Sequence, residues 1–240
     1  MGSRIATLAA ADSAFAVAGA LEGSGHACLG RDVGECLGLK PLGVRVTDDT
    51  DAALRAGDVL VEFTQPQATL EHVQAARRLK KPAVIGTTGL SEAERAAVAE
   101  AAREIPIVFS PNMSPGVNVL FELAALAAQR LGPGCDVEVV EAHHRAKKDA
   151  PSGTAKRLAE VLAAGRRQPV ERIPVHAIRA GDIVGDHTVV LAGPSERLEL
   201  THRAQSRDVF AQGALKAAQF VRAQKPGLYD MSHVLKETGV

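Results

Sequence analysis

The sequence predicts an α/β protein: a parallel-sheet domain whose first strand is absent, joined to an α+β domain built on a mixed sheet. Three observations carry this. Short β-branched runs alternate with helical periods through the first half, the order of a parallel βαβ sheet. At Ser114-Pro115 that order gives way to a long apolar helix, with proline at a first-turn position. Beyond it, period-two runs such as Leu198-Glu199-Leu200-Thr201 suit a sheet with one packed face and one face open to a neighbour.

The chain opens on Met1-Gly2-Ser3-Arg4-Ile5-Ala6-Thr7-Leu8, which reads as a helix. A Rossmann-like dinucleotide-binding unit usually opens with an apolar strand and a glycine-rich turn, because that turn and the next helix N-terminus hold the diphosphate. Neither precedes the helix here, so the parallel sheet is expected to lack its central strand. Ala14–Ala20 reads as the second strand, followed by Glu22, where a ribose hydroxyl would be held. Asp58–Thr64 is a strand, Gln67–Leu79 a helix, Ala83–Thr88 a strand, and Ser91 starts a helix with Glu92 and Glu94 in its first turn. Ile107–Phe109 is the next strand. Ligands of such sheets gather at the C-terminal strand ends, which places Thr64, Gly86, Thr88, Ser110 and Asn112 together. Taken singly, each of these is ordinary turn chemistry.

The densest chemistry lies in Glu141-Ala142-His143-His144-Arg145-Ala146-Lys147-Lys148-Asp149-Ala150-Pro151-Ser152-Gly153-Thr154-Ala155. Asp136–Val140 alternates polar and β-branched residues, so a strand delivers His143 and His144 to its C-terminal end, at a sheet edge. Ser152-Gly153-Thr154 opens a helix whose free N–H groups suit a carboxylate or phosphate. Gly153 allows close approach to the backbone, Thr154 adds a hydroxyl donor, and Lys147 adds a full positive charge. A histidine beside a lysine suits general-acid work on a substrate held by its carboxylates. A structural surface turn remains the alternative on these residues alone. Strands at Ile173–Arg179, His187–Ala192 and Arg197–Arg203, a helix from Asp208 to Ala223 and a tail from Gly227 to Val240 complete the chain. His26, His72, His176, His187 and His202 read as structural histidines, without metal-ligand spacing.

The run from Glu141 to Ala155 resembles the signature of the 4-hydroxy-tetrahydrodipicolinate reductase (dihydrodipicolinate reductase) family. Val61-Glu62-Phe63-Thr64-Gln65-Pro66, Ile85-Gly86-Thr87-Thr88-Gly89, Ser110-Pro111-Asn112-Met113-Ser114, Arg179-Ala180-Gly181-Asp182-Ile183-Val184-Gly185 and Gly227-Leu228-Tyr229-Asp230-Met231 are similar to further family motifs, in the family's order. The resemblance implies hydride transfer from NADH or NADPH to a cyclic unsaturated dicarboxylate formed from 4-hydroxy-tetrahydrodipicolinate, giving tetrahydrodipicolinate in lysine and diaminopimelate synthesis. It implies His143 as proton donor and Lys147 as second catalytic residue, with His144, Ser152, Gly153 and Thr154 contacting substrate. It implies Glu22, Thr64, Gly86, Thr87, Thr88, Ser110, Pro111, Asn112 and Met113 on the cofactor. Gly23 stands where relatives carry an arginine suited to a 2′-phosphate, which favours NADH. A homotetramer formed through the second sheet is also implied. Residues 1–114 with 224–240 would bind the dinucleotide, and residues 115–223 the substrate and neighbouring subunits. The rivals are another dicarboxylate dehydrogenase, such as an aspartate dehydrogenase, and a noncatalytic relative that has lost cofactor binding; the His-His-Arg-x-Lys run argues against the first.

Bulk properties exclude more than they assign. A net charge of zero argues against a polyanion-binding or anionic-membrane surface, so neither nucleic acid nor membrane is an expected partner. No apolar run reaches the length of a bilayer span and no signal-peptide pattern is present. Cys28, Cys36 and Cys135 match no disulfide or zinc framework, which fits a reducing cytoplasm.

Overall fold

The alternation expected for the first half is found in the computed structural model, which describes residues 1–238 and divides into two units. Unit 1 comprises Met1–Met113 and Phe210–Val240, and unit 2 comprises Ser114–Val209. Gly239 and Val240, the end of the expected tail, lie outside the described residues.

Unit 1 runs α1 (Gly2–Ala11), β1 (Ala20–Leu21), α2 (Val33–Cys36), β2 (Val46–Thr47), α3 (Thr50–Ala56), β3 (Leu60–Glu62), α4 (Pro66–Arg78), β4 (Ala83–Ile85), α5 (Glu92–Ala101) and β5 (Pro106–Phe109). Side chains set the helix starts. Asp49 accepts from the Ala52 N–H ahead of α3, Pro66 occupies the first turn of α4, and Ser91 with Glu94 forms a reciprocal capping box on α5. β3, β4 and β5 pair in parallel, with Val84 between Val61 and Val108. Successive strand residues face opposite ways, so one sheet builds two cores. Val84 and Val108 pack with Ile5 and Ala9 of α1, whereas Ala83, Ile85 and Ile107 pack with Val73, Ala76 and Val98 of α4 and α5.

The expected strand at Ala14–Ala20 shrinks to Ala20–Leu21, which pairs with Val46–Thr47 in a separate two-stranded sheet. Phe15 and Val17 keep the alternating burial of a strand and pack on the α1 core, yet residues 14–19 form no ladder. The cause is the missing neighbour. β3 ends the four-stranded sheet, and no described strand lies between it and β1.

Unit 2 runs α6 (Pro115–Leu131), β6 (Asp136–His143), α7 (Gly153–Arg166), β7 (Val175–Arg179), β8 (Asp186–Ala192) and β9 (Arg197–Arg203). The sheet order is β7-β6-β8-β9, with β7 parallel to β6 and the other pairs antiparallel, a mixed sheet as expected. β6 is therefore an interior strand, which corrects the expected edge position of His143: β7 and β8 flank it on both sides. Val137, Val139, Val189 and Leu191 face Leu120 and Ala124 of α6 and Leu158 and Leu162 of α7. The opposite face carries half-buried Val140 and Val190 and exposed Ile178.

The chain closes with α8 (Asp208–Arg222), β10 (Gly227–Tyr229) and α9 (Met231–Thr238). β10, part of what reads as a tail in the sequence, extends the unit 1 sheet by pairing in parallel with β5. Gly213 of α8 lies against the Met113 carbonyl, and a Cβ there would sit 1.8 Å from that oxygen. Backbone cannot yield as a flexible side chain does, so Gly213→Ala is expected to destabilise by about 1–3 kcal/mol. Urea unfolding should show a lower midpoint at an unchanged slope.

Candidate active site

Glu141 and His143 stand two residues apart on β6 and so share the face covered by α6 and α7. The Glu141 carboxylate is fully buried, and each of its oxygens has two donors. Oε2 takes His143 Nδ1 at 2.5 Å and Arg179 Nη1 at 2.8 Å. Oε1 takes Arg179 Nη2 at 2.7 Å and the Ser152 N–H at 3.1 Å. Arg179 ends β7 directly beside His143, and its Nη2 also donates to the Asp149 carbonyl at 2.5 Å. One carboxylate thus joins the strand carrying His143, the neighbouring strand and the loop leading into α7.

Burial pushes the Glu141 carboxyl up, but the Arg179, His143 and Ser152 donors outweigh it and hold the group below its usual range. Burial pushes His143 down, the Glu141 carboxylate restores part of that, and Lys147 and Arg179 add to the fall. His187 of β8 meets the His143 ring edge-on at 5.2 Å. Its Nε2 lies 3.3 Å from Ser152 Oγ, and its buried Nδ1 has no partner among the described residues. Burial and then the His143 charge push His187 down to about 4. His187 is therefore neither exposed nor fully satisfied, which corrects its reading as an ordinary structural histidine.

The other expected substrate residues gather around this centre. Ser152 caps α7 by accepting the Ala155 N–H at 3.2 Å, leaving the Gly153 backbone exposed and Thr154 half-buried in the first turn. Lys147 Nζ lies 2.7 Å from Asp149 Oδ1. A groove of about 270 Å³ is lined by His144, Arg145, Ala146, Asp182, Val184 and Arg207, with Arg207 Nη2 3.4 Å from His144 Nε2. Gly185 borders His143 Nε2, where a Cβ would come within 3.1 Å, so only glycine leaves that nitrogen uncrowded. Two cations, Lys147 and Arg179, and a helix N-terminus near one buried imidazole suit an anion that receives a proton.

In unit 1 the expected cofactor residues stand at or beyond the strand ends in two groups. Thr64, Thr88, Pro111 and Glu22 are exposed. Thr87, Ser110 and Met113 are buried and shape the loops: Thr69 Oγ1 donates to Thr87 Oγ1 at 2.8 Å, and Ser110 Oγ donates to the Asn112 carbonyl at 2.9 Å. Gly86 is required by packing, since a Cβ would strike the Phe63 ring at 2.1 Å. Glu62, buried with His72 at 2.5 Å, also binds Thr64. Burial pushes Glu62 up, and the His72 and Thr64 hydrogen bonds more than reverse it. Exposed Glu22 and Thr64 in unit 1 offer the carboxylate and hydroxyl chemistry that suits the ribose and amide groups of a dinucleotide.

Sequence reading missed Glu141, Arg179, His187 and Arg207 as members of the site. Glu141 carries a local signal, because a carboxylate two residues before a strand histidine must share its face. The partnership of Arg179 and Arg207 with residues far along the chain has no local signal. His187 takes a proton near 6.5 when unfolded but near 4 when folded, so its contribution is complete above about pH 6.5 and is lost as the pH falls toward 4. That loss amounts to roughly 3 kcal/mol. Urea unfolding of His187→Asn should accordingly show a shallower decline between pH 7 and pH 4 than the parent chain.

The chain is similar to known proteins over almost its whole length. The family model described as dihydrodipicolinate reductase, N-terminus, matches residues 1–113, and the one described as dihydrodipicolinate reductase, C-terminus, matches residues 116–235. A 4-hydroxy-tetrahydrodipicolinate reductase of Anaeromyxobacter dehalogenans is 47% identical across 98% of this chain and 93% of its own length. One from Thiobacillus denitrificans is 46% identical across 98% and 94%. Among solved structures, a dipicolinate-bound dihydrodipicolinate reductase from Paenisporosarcina sp. TG-14 shares the fold with a TM-score of 0.80 over 95% of this chain and 92% of that one, at 22% identity. With both halves matched and near-half identity over almost the full length, the chain belongs to the dihydrodipicolinate reductase family.

Proposed function

We propose how this chain performs its family's reaction, the NAD(P)H-dependent reduction of 4-hydroxy-tetrahydrodipicolinate to tetrahydrodipicolinate in lysine and diaminopimelate synthesis. The observation that carries the reading is the buried Glu141-His143-Arg179 cluster facing the N-terminus of α7.

NADH or NADPH would supply the hydride, the 4-hydroxyl leaves as water, and the protein must supply the balancing proton. His143 is the donor: Glu141 occupies Nδ1, so Nε2, beside Gly185, is the nitrogen available to substrate. The substrate's carboxylates are held by Lys147, His144 and Arg207 and by the Ser152, Gly153 and Thr154 turn at the start of α7. Lys147 exchanges its Asp149 partner for substrate, which keeps a charged amine beside the reacting ring. Preorganised donors of this kind contribute roughly 3–4 kcal/mol each to barrier lowering. On the cofactor side, Glu22 takes a ribose hydroxyl, and the loops at Gly86–Thr88 and Ser110–Met113, with Thr64, support the nicotinamide end. Gly23 offers no cation to a 2′-phosphate, which supports a preference for NADH.

Among the described residues no helix is long and apolar enough to cross a membrane, in keeping with a cytoplasmic biosynthetic enzyme. The outer face of the unit 2 sheet, with Val140, Val190 and Ile178, is the surface through which a homotetramer forms.

The test follows NADH and NADPH oxidation by absorbance, with substrate made in situ from pyruvate and aspartate semialdehyde. His143→Ala should lower kcat by about 100-fold or more. Arg207→Ala should raise KM about tenfold or more, the loss of one charge-assisted carboxylate contact. Unchanged turnover in His143→Ala would overturn the assignment of the donor. A gel-filtration mass near four subunits is the expected assembly, and a monomer would overturn it.

A further inference from the structure

We propose that Glu141 and Arg179 act as a positioning pair for His143, fixing which ring nitrogen faces substrate and the pH range over which His143 carries the transferable proton. The inference rests on the reading of His143 as proton donor and goes beyond it by assigning work to two residues that do not touch substrate.

The geometry leaves the pair little freedom. Arg179 grips both oxygens of Glu141, at 2.8 and 2.7 Å, which fixes the plane of the carboxylate. A carboxylate kept charged in this way can only accept, so the His143 nitrogen 2.5 Å away must carry its hydrogen on Nδ1 in either protonation state. When His143 takes a second proton, that proton sits on Nε2, beside Gly185. The same two residues hold the loop: Ser152 N–H binds Glu141 and the Asp149 carbonyl binds Arg179, on either side of the turn that presents the α7 N-terminus.

The two partners pull His143 in opposite directions. Glu141, on its own strand, favours the charged ring, whereas Arg179 on β7 opposes it. The other groups around His143 are His187 on β8, with His202 of β9 beyond it, and Lys147 with its Asp149 partner in the loop. Ser152 of α7 adds no charge. Loss of geometry would lower activity in both variants alike, but only a positioning role shifts the titration in opposed senses.

The experiment titrates the His143 ring by nitrogen NMR in the full chain without substrate, and records the pH profile of kcat/KM alongside. In Glu141→Gln the midpoint should fall by about one pH unit or more, and in Arg179→Leu it should rise, by a smaller amount. His143 acts in its protonated form, so the alkaline limb of the profile should move with each midpoint. Shifts of the same sign, or none, would overturn the inference. Should Glu141→Gln fail to fold, Arg179→Lys replaces it: the retained charge should keep the midpoint near the parent value while Arg179→Leu raises it, and equal midpoints in the two would overturn the pairing. His143→Ala separates the two readings. If it is inactive and the shifts are not opposed, the positioning pair alone fails; if it is fully active, the donor reading fails and takes the inference with it.

Discussion

The buried carboxylate of Glu141 is the constraint around which unit 2 is arranged. An ionised group with no solvent exposure costs several kcal/mol unless its lone pairs are satisfied, and here four donors from three segments do so. That requirement determines much of the local design. An arginine must stand at the end of β7, the helix α7 must begin where its cap residue can offer an N–H, and the intervening loop must bring its carbonyl to the guanidinium. The placement of the His143 ring is a by-product of satisfying one charge. A hydrophobic residue at 141 alone would leave the Arg179 guanidinium, the Ser152 N–H and His143 Nδ1 without their acceptor, so the carboxylate and its donors form one interdependent unit.

A second motif repeats across the same sheet. His187 of β8 and His202 of β9 are direct cross-strand neighbours, and each reaches the cap serine of a covering helix, Ser152 of α7 and Ser114 of α6. Each serine oxygen also accepts the N–H three residues on, at Ala155 and Val117. The helix starts are thereby tied to strand positions, so that α7 presents its N-terminus at a fixed height above β6. Neutral imidazoles suit this task, because they bridge strand and cap without adding a second buried charge.

Much of this was legible from residue order alone. The parallel alternation, the capping box at Ser91 and Glu94, the proline-led α6 and the mixed sheet follow from local patterns that the structure keeps. His143, Lys147 and the Ser152-Gly153-Thr154 turn stand close in sequence and therefore read as one site. Arg179 and Arg207 reach it only through strand pairing and the turn after β9, and no local spacing announces such contacts. The extent of β1 was misjudged for a related reason: Ala14–Ala20 has the side chains of a strand, but a strand exists only where a neighbour completes its ladder. Gly86 shows a subtler limit. Its position at a strand end suggests ligand approach, whereas the nearest demand on it is the Phe63 ring.

The division of the unit 1 sheet bears on how that unit breathes. β1 and β2 share only two residue pairs, while β4 is hydrogen-bonded on both sides and carries side chains with no exposure at all. Opening of the small ladder exposes little apolar surface, so amide protons between Ala20 and Thr47 exchange through local fluctuations. Those of Ala83–Ile85 and Ile107–Val108 wait for something close to global unfolding. In the proposed binding mode, the ribose end of a dinucleotide meets the pliant part of the unit and the nicotinamide end the rigid part.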